Sequence, residues 1–458
     1  MRPTVKKILR WTLLIVTSLV VAWLVWFSVW RIRLAHNIKS EVAAIRATGL
    51  PTNCEENNTY YPSVPTDENA ALKMMAAFEL MINYDDARSN QISTIKFPQR
   101  KESLAPSELE SLIGYCEMNS KALAKASEAS KLLRSRYPVD LSLGAHASLK
   151  HLAKFKPFTE LTEYDTIINP SNAATDISIL IVTARSLDDE PILISKLIRV
   201  RTLNMAVMAL EHRLNAASLD DMDLDRLEKL FGAAAKTNQM AHAFIGDRAT
   251  FLGVFQMVPD EIARLADSDD ELAKEKPVSS PGFSYRFGKF AGVFDLDERF
   301  YLKAITTYIV LASKYPRNMS VLDEVDGKVR QTLLDKRFII SKLLLSPDDK
   351  PTAYRAAIIK EATSLAQIRA ARVALAIERF RLAHGKLPEK LDELIPQFLP
   401  AVPADPFDGQ PLRYHRLEKG CVIYSIGSDG EDNGGRERPA NVKSTDKTHY
   451  DITFTVER

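Results

Sequence analysis

Apolar residues form one continuous block near the start of the chain and recur at helical spacing through most of the rest. Residues 11–30 contain no charged side chain. A helix of that length rises about 30 Å, the thickness of the hydrocarbon core of a bilayer. We therefore predict a membrane-spanning helix there. A buried soluble helix and a cleaved signal peptide are the alternatives, but bulky Phe27, Val29 and Trp30 stand where a cleavage site needs small residues.

Charged residues around this block predict its orientation. Four basic residues precede it and three follow it, a small excess on the N-terminal side that places the longer C-terminal part across the membrane. They are Arg2, Lys6, Lys7, Arg10, Arg31, Arg33 and Lys39. We expect the lipid bilayer to be a partner through residues 11–30, with the long C-terminal part in the periplasm or outside the cell.

The overall charge does not indicate a class of binding partner. The chain has 61 basic and 59 acidic residues, and residues 1–40 contain seven of the basic residues and no acidic one. The remainder is mildly acidic, without the basic field that binds nucleic acid, so we predict no nucleic-acid partner.

From residue 67 to residue 384 the pattern is helical. The longest apolar stripe runs from Leu193 to Leu214 at spacings of three or four residues. A short break at 217–221 leads into a second stripe that starts at Leu224. This predicts an antiparallel helical hairpin. Other predicted helices cover 67–84, capped by Thr66, and 106–137, 237–266, 295–314, 320–345 and 352–384. Residues 52–65 and 267–292 are predicted loops.

The candidate metal ligands and the cysteines of the chain have simpler explanations. Asp221, Asp223 and Asp225 alternate like the start of a calcium loop, but acidic residues also favour a helix N-terminus, and capping explains them better. Cys54, Cys116 and Cys421 have no metal-site spacing. A disulfide between Cys54 and Cys116 stays open as an alternative in an oxidising compartment.

The composition changes near residue 385, since seven of the 17 glycines lie beyond residue 384. Gly385 is a candidate left-handed C-terminal cap for the last long helix. Three short strand-like segments follow, at 412–417, 421–426 and 451–456, the last with alternating apolar residues, and predict an antiparallel sheet packed on that helix. The predicted fold is mainly α: a transmembrane helix, an irregular helical bundle or stacked helical hairpins, and a small α+β module with three strands.

This C-terminal part resembles the major pseudopilins of type II secretion, the protein G family. The resemblance covers about residues 366–456 and rests on HGKLPEKLDELIPQFL, VPADPFDGQPLRYH, CVIYSIGSDGEDNGG and Asp451-Ile452. In that family a helix packs on a small sheet, and a loop between strands binds calcium. The resemblance implies Asp429 and Asp451, and more loosely Asp432, as metal ligands, with calcium as the expected cofactor.

The local residues fit a calcium loop in part. Carboxylates supply hard oxygen ligands, and the glycines near Asp429 let the backbone turn around a cation. An acidic, glycine-rich surface turn without metal is the alternative. Residues 436–447 form an insertion that departs from the compact family loop.

Other departures concern the N-terminal end. The segment around residues 7–11 lacks the glycine cleavage site of a pseudopilin, and residues 11–30 contain no glutamate. We therefore expect no pilin-like processing or polymerisation. The predicted organisation is an anchor (1–40), a linker (41–66), a helical extracytoplasmic domain (67–365) and the pseudopilin-like module (366–458).

Two functional hypotheses follow. The first is a single-pass bacterial envelope protein in the inner membrane, with the bulk of the chain in the periplasm. It acts as a noncatalytic interaction or assembly component with envelope protein partners and is linked to secretion machinery through the resemblance. The second is an extracytoplasmic hydrolase whose active site is assembled in the helical domain from residues far apart in sequence. A deep pocket lined by converging carboxylates or histidines would favour the hydrolase.

Overall fold

The computed structural model describes residues 3–82, 92, 94–98, 100, 102–129, 132, 134–266, 282–345, 351–439 and 449–458. The first eight helices of this described part are α1 (Pro3–Ala47), α2 (Cys54–Tyr60), α3 (Ala70–Glu79), α4 (Pro106–Met118), α5 (Ser120–Ala129), α6 (Leu152–Ile168), α7 (Ala173–Arg185) and α8 (Leu193–Ala216). The next eight are α9 (Asp221–Ala234), α10 (Gln239–Phe251), α11 (Pro259–Ala266), α12 (Phe283–Phe290), α13 (Val293–Ser313), α14 (Met319–Leu333), α15 (Ile339–Leu345) and α16 (Ala353–His384). The strands are β1 (Arg413–Leu417), β2 (Gly420–Ser425) and β3 (Ile452–Val456).

Helix α1 is 45 residues long and includes an apolar stretch long enough to cross a membrane. Most apolar side chains of the predicted span are exposed, whereas Phe27 and Trp30 near its end are half-buried and Leu34 and Ile38 farther along are buried. The helix continues to Ala47, and α2 follows at Cys54. Much of the 41–66 segment, predicted as a linker with a loop at 52–65, is therefore helical.

The C-terminal half of α1 is fixed to α13. Arg31 forms an ion pair with Asp295. Glu41 lies 3.2 Å from the Nε of Arg299 and 3.9 Å from the Nζ of Lys303. The residue numbers of the paired side chains increase together along the two helices, so α1 and α13 lie side by side and parallel.

The two helices of the predicted hairpin are present as α8 and α9, but α9 packs mainly against α16 and α7. Asp220 caps α9 by accepting a 2.8 Å hydrogen bond from the backbone N–H of Asp223. Asp221 and Asp225 pair with Arg379 of α16 at 2.8 and 2.7 Å. The acidic run therefore lies at the start of a helix, as predicted, but Asp220 supplies the cap, and Asp221 and Asp225 form ion pairs with α16 instead.

Several helix boundaries differ from the predictions. The helices predicted over 237–266 and 320–345 are each divided, into α10 and α11 and into α14 and α15. Asn69, rather than Thr66, caps α3 through the backbone N–H of Ala71. The helix predicted over 106–137 is broken at Asn119, whose buried side chain accepts from the N–H of Ile82 and donates to its carbonyl. These long-range hydrogen bonds lie outside the local periodicity that predicted one helix.

Helix α16 connects two apolar cores. Ala357 and Ile358 near its start pack in a core with α10, α13, α14 and α15, which Val42 and Ile45 of α1 also join. Its C-terminal half, including Ile377 and Phe380, packs in a second core with α7, α8, α9 and the sheet. Residue 366, the predicted start of the C-terminal module, lies inside this helix.

The sheet has the order β1-β2-β3 with both pairs antiparallel. Ile423 faces Tyr414 on one side and Phe454 on the other. Gly385, at φ 69°, ends α16 in the left-handed conformation, which confirms the predicted cap. A mainly helical chain with a long apolar N-terminal helix and a small C-terminal sheet is also confirmed.

Candidate functional site

The residues predicted as metal ligands lie around the connection between β2 and β3, beside a cleft where the sheet meets the helical body. Asp429 and Asp432 follow β2, and Asp451 directly precedes β3. Of the connection, the part from residue 440 to residue 448 is outside the described residues.

Asp451 is buried and holds a backbone turn. Its carboxylate accepts hydrogen bonds from the backbone N–H groups of Asn433 (3.3 Å), Gly435 (2.7 Å) and Arg436 (3.2 Å). Burial raises the pKa of Asp451, and these three donors oppose that shift. Asp451 therefore joins the two ends of the β2–β3 connection.

Asp432 belongs to a charged group centred on Arg413 of β1. It accepts from the N–H of Gly434 at 3.0 Å, and this backbone hydrogen bond lowers its pKa. Its other oxygen is 3.4 Å from the Nε of Arg413. Arg413 also binds the carboxylates of Asp405 (2.9 Å) and Asp408 (2.5 Å).

Asp405 makes this group part of the fold. Its buried carboxylate accepts from the hydroxyl of Ser425 (2.8 Å) and from the N–H of Ile426 (3.0 Å). The Asp405–Gly409 turn closes with a 2.9 Å backbone hydrogen bond. Arg413 at the start of β1 binds both carboxylates of this turn, so the turn orients the first strand.

Asp429 lies beside His449 and Glu431. The Nδ1 of His449 is 3.6 Å from Asp429 and 2.8 Å from Glu431. The hydrogen bond with Glu431, assisted by the charge of Asp429, raises the pKa of His449. Asp429 also accepts from the N–H of Glu431 at 3.2 Å.

Each of the three aspartates thus has protein partners of its own. Within the described ranges, no group of three His, Cys, Asp or Glu side chains is arranged to hold a metal ion. Asp429 and Asp451 both line the cleft, whereas Asp432 points to Arg413. Calcium binding by these residues stays a prediction.

The cleft has a volume of about 590 Å³ and a mixed charge. Its walls include Arg100, Glu211 of α8 and Gln367 of α16. Arg100 forms an ion pair with Glu437. Burial raises the pKa of Glu211 to about 7. The cleft therefore offers hydrogen-bond donors, hydrogen-bond acceptors and both signs of charge where α8, α16 and the sheet meet.

The two edges of the sheet differ. The outer edge of β3 is covered by α8: Glu211 accepts from the N–H of Thr455 at 2.7 Å, and Asn215 donates to the carbonyl of Thr455 at 2.8 Å. Asn215 also accepts from the N–H of Glu457 at 2.8 Å. At the opposite edge, β1 exposes His415 and its following residues. No local sequence pattern marks this arrangement, since Asn215 and Thr455 are 240 positions apart.

A second cavity, of about 570 Å³, is mostly apolar. Leu149, Ile192 and Leu344 are among its lining residues. In the part of the chain that the structure describes, Asp247 is the carboxylate that lines it. Burial raises the pKa of Asp247 to about 7.

Other titratable side chains form hydrogen bonds inside the helical body. Glu190 accepts from Ser195 at 2.7 Å and contacts the Nε2 of His151 at 3.2 Å. Arg317 and Glu361 form a buried ion pair at 2.5 Å. These groups are enclosed by the helices that they connect, so we assign them to the fold.

The cysteines are all free. Cys116 is buried, and burial raises its pKa above the usual range of a thiol. Cys54 is half-buried beside the carbonyls of Ala249 and Thr250. The disulfide alternative for Cys54 and Cys116 is therefore not realised in the structure.

Comparison with known proteins adds no assignment. No family model matches the chain, and no curated protein or solved structure matches it either.

Proposed function

We propose that this chain is a single-pass bacterial envelope protein that acts as a noncatalytic interaction or assembly component. Residues 11–30 of α1 would lie in the inner membrane, and the remaining helices and the sheet in the periplasm. The observation that carries the proposal is the continuity of α1, which leaves its apolar stretch and enters the helical body without a break. Arg31 and Glu41 then fix it to α13.

The anchored helix α1 and the sheet that would bind a partner pack near different ends of α16. Val42 and Ile45 of α1 pack in the same core as Ile358 near the start of α16. The sheet packs near Ile377, about 19 residues farther along the helix, which corresponds to roughly 30 Å. A partner that binds the sheet would thus be held at a set distance from the anchored part.

The partner surface that we propose consists of the exposed edge of β1 and the loop from Gly427 to Pro439. An unpaired sheet edge is a common site for adding a strand from another protein. The link to secretion machinery rests on the resemblance of residues 366–456 to pseudopilins. Calcium would stabilise this loop through Asp429 and Asp451.

Site-specific photocrosslinking in the native host tests the interaction. A photoreactive amino acid would replace His415 on β1, and a matched control would replace Lys328 on α14, whose side chain is 72% exposed. We expect a discrete crosslinked protein product at 415 that is absent at 328. Equal products at both positions, or none at 415, would contradict the proposed surface.

Orientation is tested separately. Alkaline phosphatase fused after Arg458 folds only where disulfides form, in the periplasm. We expect the phosphatase fusion to be active. An inactive phosphatase fusion, together with a fluorescent-protein fusion at the same position that is fluorescent in the cytoplasm, would contradict the proposed topology.

A further inference from the structure

Helix α12 presents an aromatic face to the outside of the protein. Phe283, Phe287 and Phe290 are 84%, 59% and 63% exposed. Their spacing of four and three places them on one side of the helix. The sequence predicted a loop at 267–292, so this face was not expected.

The opposite face of α12 is fixed to the body. The hydroxyl of Tyr285 donates to the carbonyl of Met257 at 3.2 Å. The ring of Tyr285 packs on Phe294, with 4.9 Å between the centroids. The outward direction of the three phenylalanines is therefore set by the packing of Tyr285.

The C-terminal end of α12 touches α1 at the end of its apolar block. The rings of Phe290 and Phe27 have centroids 5.4 Å apart. Arg31 donates to the carbonyl of Lys289 at 3.4 Å. Phe27 lies three residues before the end of the 11–30 block, about 4.5 Å of helix rise. If that block spans a bilayer, Phe290 lies at the level of its interface.

Charge completes the pattern. Arg286 and Lys289 are exposed on the same short helix. Basic side chains beside an aromatic face are typical of helices that lie in the headgroup region, where the rings enter the acyl boundary and the cations meet lipid phosphates. A protein partner would match the aromatic face equally well, but the contact between Phe290 and Phe27 makes this face continuous with the lipid-facing block.

We propose that α12 is an interfacial membrane helix, with Phe283, Phe287 and Phe290 inserted into the bilayer that α1 crosses. The partner is a lipid surface, favoured by anionic headgroups through Arg286 and Lys289. The proposal rests on the membrane anchor of the proposed function. It adds a second attachment point, which fixes how the body is rotated about the axis of α1.

Depth-dependent quenching in vesicles tests the proposal with the full chain. Phe287→Cys would carry an environment-sensitive fluorophore in a Cys54→Ser background, because Cys116 and Cys421 are buried. The matched control is Met222→Cys on α9, where the side chain is 77% exposed. The chain would be reconstituted in vesicles of phosphatidylcholine with and without phosphatidylglycerol, with either a lipid-attached nitroxide or aqueous iodide as the quencher.

We expect the label at 287 to be quenched by the nitroxide and protected from iodide, and the label at 222 to show the reverse. Protection at 287 should increase with phosphatidylglycerol. Iodide quenching at 287 as strong as at 222 would overturn the proposal. Protection from both quenchers would also overturn it, because it would indicate a protein covering the face.

The four tryptophans separate this inference from the proposed anchor. Trp11, Trp23, Trp26 and Trp30 are the tryptophans of the chain, and all lie in the apolar block. Nitroxide quenching of their emission without quenching at 287 would retain the anchor and reject α12 as an interfacial helix. If the nitroxide quenches neither the tryptophans nor the label at 287, both proposals are rejected.

Discussion

Arg31 and Asp295 form an ion pair between residues 264 positions apart in the sequence. The pair joins the end of the apolar block of α1 to the first turn of α13. Both side chains are about a quarter to a third exposed. It is thus the first polar connection between the proposed anchor and the body.

The strength of this connection can be measured. We expect Arg31→Gln and Asp295→Asn each to reduce the unfolding free energy of the full chain in detergent, with a coupling energy of about 1 kcal/mol or less because the pair is partly solvated. The measurement is a double-mutant cycle by chemical unfolding. Strictly additive effects would show that the two side chains do not interact.

Gly292 permits the same contact. It adopts φ +77° at the start of α13, and a Cβ there would collide with the guanidinium of Arg31. We expect Gly292→Ala to cost about 1–2 kcal/mol in backbone strain and to displace Arg31 in addition. Gly385→Ala is the matched control, since Gly385 has φ +69° and open space around its Cβ position. Equal losses of thermal stability would argue against the collision.

The buried Glu163 should make stability depend on pH. Burial raises its pKa from 4.5 to about 8. The folded chain then retains a proton that the unfolded chain releases, so stability is highest below about pH 4.5 and decreases as the pH rises to about 8. We expect Glu163→Gln to reduce this decrease by a few kcal/mol, on the order of 1.4 kcal/mol per pKa unit.

Urea unfolding at about pH 5 and about pH 9 measures this difference. Glu160→Gln on the same helix is the control, because Glu160 pairs with Arg201 at the surface. A pH profile that Glu163→Gln leaves unchanged would show that Glu163 does not bind the proton.

Asn215 should hold the covered edge of the sheet. We expect Asn215→Ala to cost about 1–3 kcal/mol, because the carbonyl of Thr455 and the N–H of Glu457 each lose a hydrogen bond. Faster hydrogen exchange at the amide of Glu457 in Asn215→Ala would support this role. The control is Asn172→Ala at an exposed helix start, where we expect little change in that exchange rate. Unchanged exchange in Asn215→Ala would contradict this role.

Calcium should stabilise the full chain if the predicted ligands bind it. A cation that binds only the folded state raises the melting temperature with concentration. We expect Asp429→Asn to abolish that increase and Asp392→Asn, on an exposed turn, to retain it. No increase at roughly millimolar calcium, the range of weak extracellular sites, would reject the prediction.

Local patterns predicted the long elements well and the contacts between them poorly. The stripe from Leu193 to Leu214 marks α8 because helix periodicity is written in neighbouring residues. Helix α12 has only eight residues and two flanking glycines nearby, so its pattern resembles a loop. The hydrogen bonds of Asn119 and Asn215 depend on partners far along the chain, which a single sequence does not mark.

The candidate site shows the same limit. The resemblance singled out Asp429, Asp432 and Asp451 by position in a motif. Their actual partners, Arg413, His449 and a set of backbone amides, depend on how the β2–β3 connection folds over β1.

The unbroken course of α1 has a mechanical consequence. A helix of 45 residues that is fixed along its second half cannot change its direction independently of the rest. If residues 11–30 cross a bilayer as proposed, a change in membrane thickness that alters their tilt would rotate the entire body, so the lipid composition would set the direction in which the sheet faces.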